Sequence, residues 1–133
     1  MGHNYQRYIG GELVLVVDCS DLERSAAFWC EVLGYRRDGA ALGPYQGLIP
    51  SDGKGLQLLL QRVNDRKPVK NRLHLDLRTS TLGPEVERIQ AAGARVLTEE
   101  PMAEFGWTWQ ILADPDGNEL CVLRALTADE LAQ

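Results

Sequence analysis

The sequence predicts an α+β fold made of two pseudo-symmetric βαβββ modules. The first observation is that an order of strand, helix and three strands occurs twice, at a spacing of about sixty residues. The second is that each predicted helix stops at a glycine, Gly34 in the first module and Gly93 in the second. We expect each helix to cover the outer face of a mixed sheet, so that the other sheet faces line a shared cup.

The composition is typical of one ordinary globular domain. The chain has 133 residues, of which 44% are hydrophobic and 25% are charged, enough for a single domain with its own core. Its formal net charge of −5 argues against nucleic-acid and anionic-membrane partners, because both require a basic face. The amino-terminal stretch lacks the apolar core of a signal peptide, and no apolar run reaches the roughly 20 residues of a membrane span. We therefore expect a cytoplasmic protein.

The first module is predicted at about residues 12–63. β-branched and apolar runs favour strands, and apolar residues at helical spacing favour a helix that Ser20 or Asp21 can cap. The elements are a strand at 12–18, a helix at 22–33, a strand at 35–38, a short strand between two glycine turns, and a strand at 56–63. On the helix, Trp29 is expected to be a core residue. Residues up to Gly11 are expected to form a loosely held arm.

The second module is predicted at about residues 72–124, after a polar linker at 64–71. Its elements are a strand at 72–78, a helix from Gly83 through 92, a strand at 94–98 and a hairpin at 106–125. Asp114 and Asp116 lie in the hairpin turn and need no role beyond bonding their own backbone. The tail, residues 125–133, is expected to hold a frayed helical turn.

The strand at 72–78 carries the main candidate for function. Leu73, Leu75 and Leu77 alternate with polar residues, so we expect a leucine face packed against a helix and an opposite face that carries His74, Asp76 and Arg78. Two interpretations of His74 stay open. It is either a neutral histidine bonded to Asp76 or to a glutamine, or a general acid/base or hydrogen-bond donor to a ligand.

Other candidate ligand-binding residues lie on the strands that follow the two helices. Gln57 and Gln61 share a strand face and either bond each other or orient a polar ligand. Trp107, Trp109 and Ile111 also share a face, where the two indoles either fill the core or form a stacking wall for a flat ligand. The three cysteines, Cys19, Cys30 and Cys121, form no CxxC pair, which favours buried, inert thiols.

Three segments, DLERSAAFWCEVLGY, LLLQRVNDRKPVKNRLHLDL and ADPDGNELCVL, occur in an order that resembles the vicinal oxygen chelate superfamily, and its glyoxalase-like subgroup in particular. That superfamily includes glyoxalase I, bleomycin-resistance proteins, fosfomycin-resistance enzymes and extradiol dioxygenases. The resemblance covers residues 13–123 and places the side of the strand that carries the two tryptophans toward the cup. It also implies a cup-shaped site for a small molecule and a homodimer.

The resemblance further implies four metal-ligand positions, which fall on Val14, Gln57, His74 and Cys121, with Gln61 as an alternative to Gln57. Valine offers no lone pair, and an amide oxygen is a weak, neutral ligand. Where the metal enzymes have a glutamate this chain has Cys121, with Glu119 two residues earlier on the same strand face. We therefore expect neither a catalytic metal nor another cofactor, with a residual Zn, Ni, Fe or Mn site as the alternative.

Two functions are compatible with these residues. The first is a binding protein that sequesters a small, partly aromatic organic molecule in the cup, as bleomycin-resistance relatives do. The second is a lyase, isomerase or dioxygenase that uses His74 as acid/base, or as ligand of a residual metal, on a substrate held by Gln57 and Gln61. The degraded metal set and the tryptophan pair favour the first.

Overall fold

A computed structural model describes residues 7–133 and divides into a first unit that ends at Arg66 and a second unit, Lys67–Gln133. Each unit is a helix packed on a mixed sheet, so the predicted α+β class is confirmed. The predicted amino-terminal arm lies partly outside the described residues. Within them, Arg7–Tyr8 (β1) pairs with Gly11–Glu12 (β2) as a short antiparallel hairpin, so this part of the arm is ordered secondary structure.

The first unit continues with one strand, one helix and three strands. They are Val14–Cys19 (β3), Leu22–Leu33 (α1), Tyr35–Arg37 (β4), Tyr45–Pro50 (β5) and Gln57–Arg62 (β6). The sheet order is β3-β6-β5-β4, in which β3 and β6 are parallel and the other pairs antiparallel. The last strand of the module therefore lies beside the first.

Helix α1 has the predicted bounds, and local chemistry explains both ends. The side chain of Asp21, rather than Ser20, accepts a hydrogen bond from the backbone N–H of Arg24 at 3.0 Å, which satisfies a free donor of the first turn. Gly34 ends the helix with φ of 72°, a conformation that favours glycine. Phe28 and Trp29 are buried where the helix packs on β4, β5 and β6.

The second unit has the same order of elements, with one strand and one helix added. They are Leu75–Arg78 (β7), Leu82–Ala91 (α2), Arg95–Val96 (β8), Met102–Glu104 (β9), Trp107–Ala113 (β10), Glu119–Ala125 (β11) and Ala128–Leu131 (α3). The sheet order is β7-β11-β10-β8, with β9 also paired to β10. Because β7 and β11 are parallel neighbours, as β3 and β6 are, the two βαβββ modules share one topology.

The strand predicted at residues 72–78 is shorter than expected, and its three-leucine face is wrong. Leu73 is 80% exposed, and the strand begins only at Leu75. The segment before Leu75 is held by side-chain hydrogen bonds instead of strand pairing. The Glu119 carboxylate accepts a hydrogen bond from the backbone N–H of Asn71 at 2.9 Å. His74 therefore lies immediately before β7.

Three smaller expectations in the second unit are also corrected. Helix α2 begins one residue before Gly83 and ends at Ala91, one residue earlier than predicted. The strand predicted at 94–98 is reduced to β8, because beyond Val96 only single hydrogen bonds continue toward β10. Strand β9 was not predicted, since its three residues are all exposed and carry no apolar alternation.

The carboxyl-terminal hairpin has the predicted turn, and its tail is better ordered than predicted. Thr127 and Glu130 form a capping box at the start of α3. The Glu130 carboxylate also accepts hydrogen bonds from the two terminal guanidinium nitrogens of Arg124, at 2.8 and 2.9 Å. Among the helices of residues 7–133, none is long and apolar enough to cross a membrane.

Candidate functional site

The second unit contains a cavity of about 390 Å³, here called the tryptophan cavity. It lies on the sheet face formed by alternate residues of β7, β10 and β11, since side chains of a strand point to opposite faces in turn. Register places Cys121 beside Asp76, and Leu123 beside both Arg78 and Trp109. The lining residues are His74, Asp76, Arg78, Glu104, Phe105, Trp107, Trp109, Cys121 and Leu123.

The two tryptophans of β10 supply flat walls of the tryptophan cavity. Trp107 and Trp109 are both half-buried, so each leaves part of its ring accessible. The guanidinium of Arg78 lies 4.8 Å from the centre of the Trp107 ring, a cation–π contact that covers part of that indole. Ile111, the third residue of the predicted wall, does not line the cavity.

His74 and Asp76 form an imidazole–carboxylate pair in the same cavity. The Nε2 atom of His74 lies 3.4 Å from Oδ1 of Asp76, and the two side chains are 37% and 45% exposed. Both groups can therefore reach a bound molecule as well as each other. A histidine beside a carboxylate is the arrangement that accepts or delivers a proton near neutral pH.

Cys121 lies on the neighbouring strand and is half-buried, where full burial was expected. Burial raises the pKa of its thiol to about 11, helped by the negative charge of Asp76 and by a thiol hydrogen bond to that carboxylate. At neutral pH the sulfur is therefore protonated. A protonated thiol is a poor nucleophile. Cys121 therefore lines the cavity as a weak hydrogen-bond donor.

The donor atoms of His74, Asp76 and Cys121 all lie within 4.8 Å of one another, and no other described residues form such a group of three. A zinc ion accepts imidazole, carboxylate and thiolate ligands at about 2.0–2.3 Å, so these three residues are of the types that would hold zinc with one coordination position left open. The set fits zinc better than manganese, which prefers oxygen ligands. Asp76 was not among the predicted metal positions, although its alternation with His74 placed both on one face.

Glu119, the carboxylate nearest in sequence to Cys121, binds other residues of the second unit and does not line the tryptophan cavity. Its side chain is only 8% exposed and lies 2.9 Å from the ammonium of Lys67. It also accepts the backbone N–H of Asn71. Although its burial opposes ionisation, these partners hold the pKa of Glu119 below its usual value. The carboxylate therefore anchors the segment before β7.

The remaining predicted positions belong to the first unit. Val14 and Gln57 are direct neighbours across β3 and β6, and the valine contributes no donor atom. Gln57 and Gln61 are half-buried on one face of β6. A Cβ at Gly47 would lie 2.9 Å from Nε2 of Gln57, so a larger residue there would displace the end of that side chain. A site that combines these glutamines with His74 stays a prediction.

The alternation of the strands could have predicted Arg78 and Leu123 as ligand-binding residues, although neither was proposed as one. Arg78 follows His74 and Asp76 at the same spacing, and Leu123 follows Cys121. Phe105 and Glu104 had no such signal. Phe105 occupies the turn before β10 with a positive φ of 52°, a conformation that its sequence does not indicate.

Comparison with known protein families identifies the family to which this chain belongs. Residues 14–123 match the family model described as a glyoxalase-like domain. The chain belongs to the glyoxalase-like domain family. The resemblance inferred from the sequence is thereby confirmed, over nearly the same residues. A comparison with curated protein sequences gave no match.

Solved structures in the same superfamily share the fold of this glyoxalase-like protein. A glyoxalase/bleomycin resistance protein/dioxygenase family enzyme from Burkholderia phytofirmans PsJN is 19% identical, with a TM-score of 0.68 over 85% of this chain and 97% of that one. The fosfomycin resistance protein FosX from Listeria monocytogenes, as a point mutant complexed with Mn(II) and 1S,2S-dihydroxypropylphosphonic acid, is 17% identical. Its TM-score is 0.69 over 92% of this chain and 95% of that chain. At these identities the likeness concerns the fold alone.

Proposed function

We propose that this glyoxalase-like protein binds a small organic molecule that places a flat ring in the tryptophan cavity. The observation that carries the proposal is the cavity itself, about 390 Å³ with two half-buried indoles on one wall. Ligand sites are typically concave, largely apolar and about 300–1,000 Å³ in volume, with a few convergent polar groups. The tryptophan cavity has these properties.

The polar groups of the cavity would orient the bound molecule. His74 offers a ring nitrogen, and Asp76 offers carboxylate oxygens that accept hydrogen bonds. Both are paired with each other at 3.4 Å and remain partly exposed. A ligand with a hydroxyl, amide or ring N–H opposite them would gain direction as well as affinity, while Trp109 and Leu123 supply apolar contact.

Substitution of Trp109 tests whether the indole contributes to ligand binding. We expect Trp109→Ala to weaken binding of naphthalene-2-carboxamide, a neutral flat probe, about tenfold, because it removes both apolar contact and ring stacking. Titration calorimetry gives the dissociation constants. It is preferable to tryptophan quenching here, because the substitution removes one of the reporters.

Trp109→Phe is the matched control, since it keeps an aromatic face at the same position. It should retain most of the affinity while Trp109→Ala does not. Equal dissociation constants for the wild type and Trp109→Ala would contradict the stacking wall. Failure of the wild type to bind the probe at millimolar concentration would count against the proposed function itself.

A second function, an enzyme of the lyase, isomerase or dioxygenase kind, is favoured by a separate observation. The imidazole–carboxylate pair of His74 and Asp76 faces the cavity in which a substrate would lie. We propose His74 as the group that moves a proton to or from a substrate, with Asp76 holding the imidazole in position. Zinc, if held by His74, Asp76 and Cys121, would act as a Lewis acid.

His74→Ala distinguishes this enzyme from the binding protein. Because the side chain is 37% exposed, we expect a loss of less than about 1 kcal/mol in the free energy of unfolding. If the protein has glyoxalase, dioxygenase or thiol-transfer activity, the rate should fall at least about a hundredfold. Thermal melting and turnover assays give the two quantities.

The two measurements have separate meanings. A stability loss of several kcal/mol would show that His74 is structural. Wild-type protein that turns over none of these substrates, before or after zinc is added, would leave binding as the function.

A further inference from the structure

The second unit has another cavity, of about 700 Å³, here called the arginine cavity. Its lining residues are Arg78, Thr79, Ser80, Trp107, Arg124, Ala125, Thr127 and Glu130. Arg78 and Trp107 line both this cavity and the tryptophan cavity. The Arg78–Trp107 pair therefore borders both cavities, so the two cavities adjoin at the guanidinium of Arg78.

The two arginines of the arginine cavity differ in their partners. The charge of Arg124 is neutralised by Glu130, whose carboxylate accepts hydrogen bonds from both terminal nitrogens of the guanidinium at 2.8 and 2.9 Å. The side chain of Arg78 makes no ion pair or hydrogen bond with the residues that the structure describes, and its contact is the Trp107 ring. One cationic group of the cavity is thus fully available.

The contact with Trp107 leaves the donors of Arg78 unused. A guanidinium over an aromatic ring interacts through its charge and flat face, while its five N–H groups point outward along its edge. That edge matches the two oxygens of a carboxylate, or of a sulfonate or phosphate, in a bidentate pair. Contact with Trp107 also restricts the arginine before a ligand arrives, which lowers the entropy lost on binding.

The distribution of charge decides on which side an anion would lie. The tryptophan cavity contains the carboxylates of Asp76 and Glu104 in addition to Arg78, so an anion within it would be repelled. The arginine cavity contains two guanidinium groups and one carboxylate, and the hydroxyl of Ser80 adds a donor. An oxyanion is therefore favoured at the edge of Arg78 that faces the arginine cavity.

We propose that the natural ligand carries an oxyanion that Arg78 binds, while its ring lies in the tryptophan cavity. The inference rests on the proposed function and narrows the ligand to anionic aromatic molecules. Arg78 then acts as a specificity-determining residue, since it selects the anion over a neutral analogue of the same shape.

The test compares two probes of equal shape, naphthalene-2-carboxylate and naphthalene-2-carboxamide, on the whole chain by titration calorimetry. We expect the wild type to bind the carboxylate about tenfold more tightly, and Arg78→Gln to reduce this ratio to about one by weakening the carboxylate alone. Arg78→Lys keeps the charge without the planar fork and should retain part of the preference. Arg95→Gln is the matched control, because Arg95 is an exposed residue of β8 that lines neither cavity.

Each outcome separates this inference from the proposed function. If both probes bind the wild type equally and Arg78→Gln changes neither affinity, the inference is wrong while ring binding stands. Equal losses in Arg78→Gln and Arg95→Gln would show only a general charge effect, and would also overturn the inference. If neither probe binds, both proposals fall. A preference that weakens with added salt in the wild type, and is missing from Arg78→Gln, would support the ion pair.

Discussion

Trp29→Ala is expected to lower the free energy of unfolding by about 3–5 kcal/mol. The indole is 2% exposed on α1 and meets the ring of Phe28 edge to face at a centroid distance of 5.0 Å. Its removal leaves a cavity that neighbouring side chains fill only in part, because protein interiors are closely packed. Since a domain is stabilised by about 5–15 kcal/mol in total, much of the protein should unfold at moderate temperature. Chemical denaturation followed by circular dichroism measures the loss.

Trp109→Ala is the matched control for this prediction. The same substitution at a half-buried cavity position should cost about 1 kcal/mol, because less apolar surface is lost from the interior. The pair separates a tryptophan that stabilises the fold from one that contacts a ligand. Equal destabilisation by both substitutions would show that Trp109 belongs to the core.

Asp114→Ala is expected to cost about 2–4 kcal/mol. Asp114 is 4% exposed in the turn between β10 and β11. Its Oδ1 accepts the backbone N–H groups of Asp116 and Asn118 at 2.9 and 2.8 Å, and its Oδ2 accepts the Asn118 side chain at 3.0 Å. Alanine leaves these donors without their acceptor in a protected turn. The effect should also loosen the hairpin that carries Trp107 and Trp109.

Asp52→Ala provides the comparison in an exposed turn. Asp52 also accepts a backbone N–H two residues on, that of Lys54 at 2.9 Å, but the site faces solvent. Water can replace that acceptor, so a loss below about 1 kcal/mol is expected. Unfolding by urea should therefore show a clearly lower midpoint for Asp114→Ala than for Asp52→Ala. Similar midpoints would contradict the role of burial.

The pH dependence of Asp114 has a definite sign. Burial raises the pKa of this carboxyl above its usual value, against the opposing hydrogen bonds from Asn118 and Asp116. The folded state therefore holds the proton more tightly than the unfolded state. The resulting stabilisation is full below the unfolded pKa, about 3.9, and is lost as pH rises through the higher folded value. The stability difference between wild type and Asp114→Ala should be smaller at pH 7 than at pH 3.5.

The two proposals describe one ligand through different contacts. In these proposals the ring would be held by Trp109 and its neighbours, the polar groups by the pair of His74 and Asp76, and the anion by Arg78. Because these contacts are separate, the variants Trp109→Ala, His74→Ala and Arg78→Gln should affect affinity, turnover and anion preference respectively. The same separation of effects would distinguish a binding protein from an enzyme.

Much of the fold could be predicted from the sequence because the signals are local. Apolar spacing and a capping aspartate mark α1, glycine marks its end, and the turn at Asp114 marks the hairpin. The repeat of these elements was enough to indicate two βαβββ modules, while the resemblance of three sequence segments indicated the family. The prediction of secondary structure failed where the local alternation of apolar residues does not match the strand pairing of the fold. Residues 72–74 alternate like a strand, but Leu73 has no partner surface and is exposed.

By itself, the sequence determined the order of the elements of the two βαβββ modules, the family, and the strand faces that carry Asp76 and the tryptophans. Only the tertiary structure decided which of these side chains meet. Cys121 lies beside Asp76, Arg78 lies on the Trp107 ring, and Glu119 pairs with Lys67 instead of facing a metal. Alternation assigns a residue to a face of its strand. Its neighbours across the sheet depend on a register between segments more than forty residues apart, which no local pattern contains.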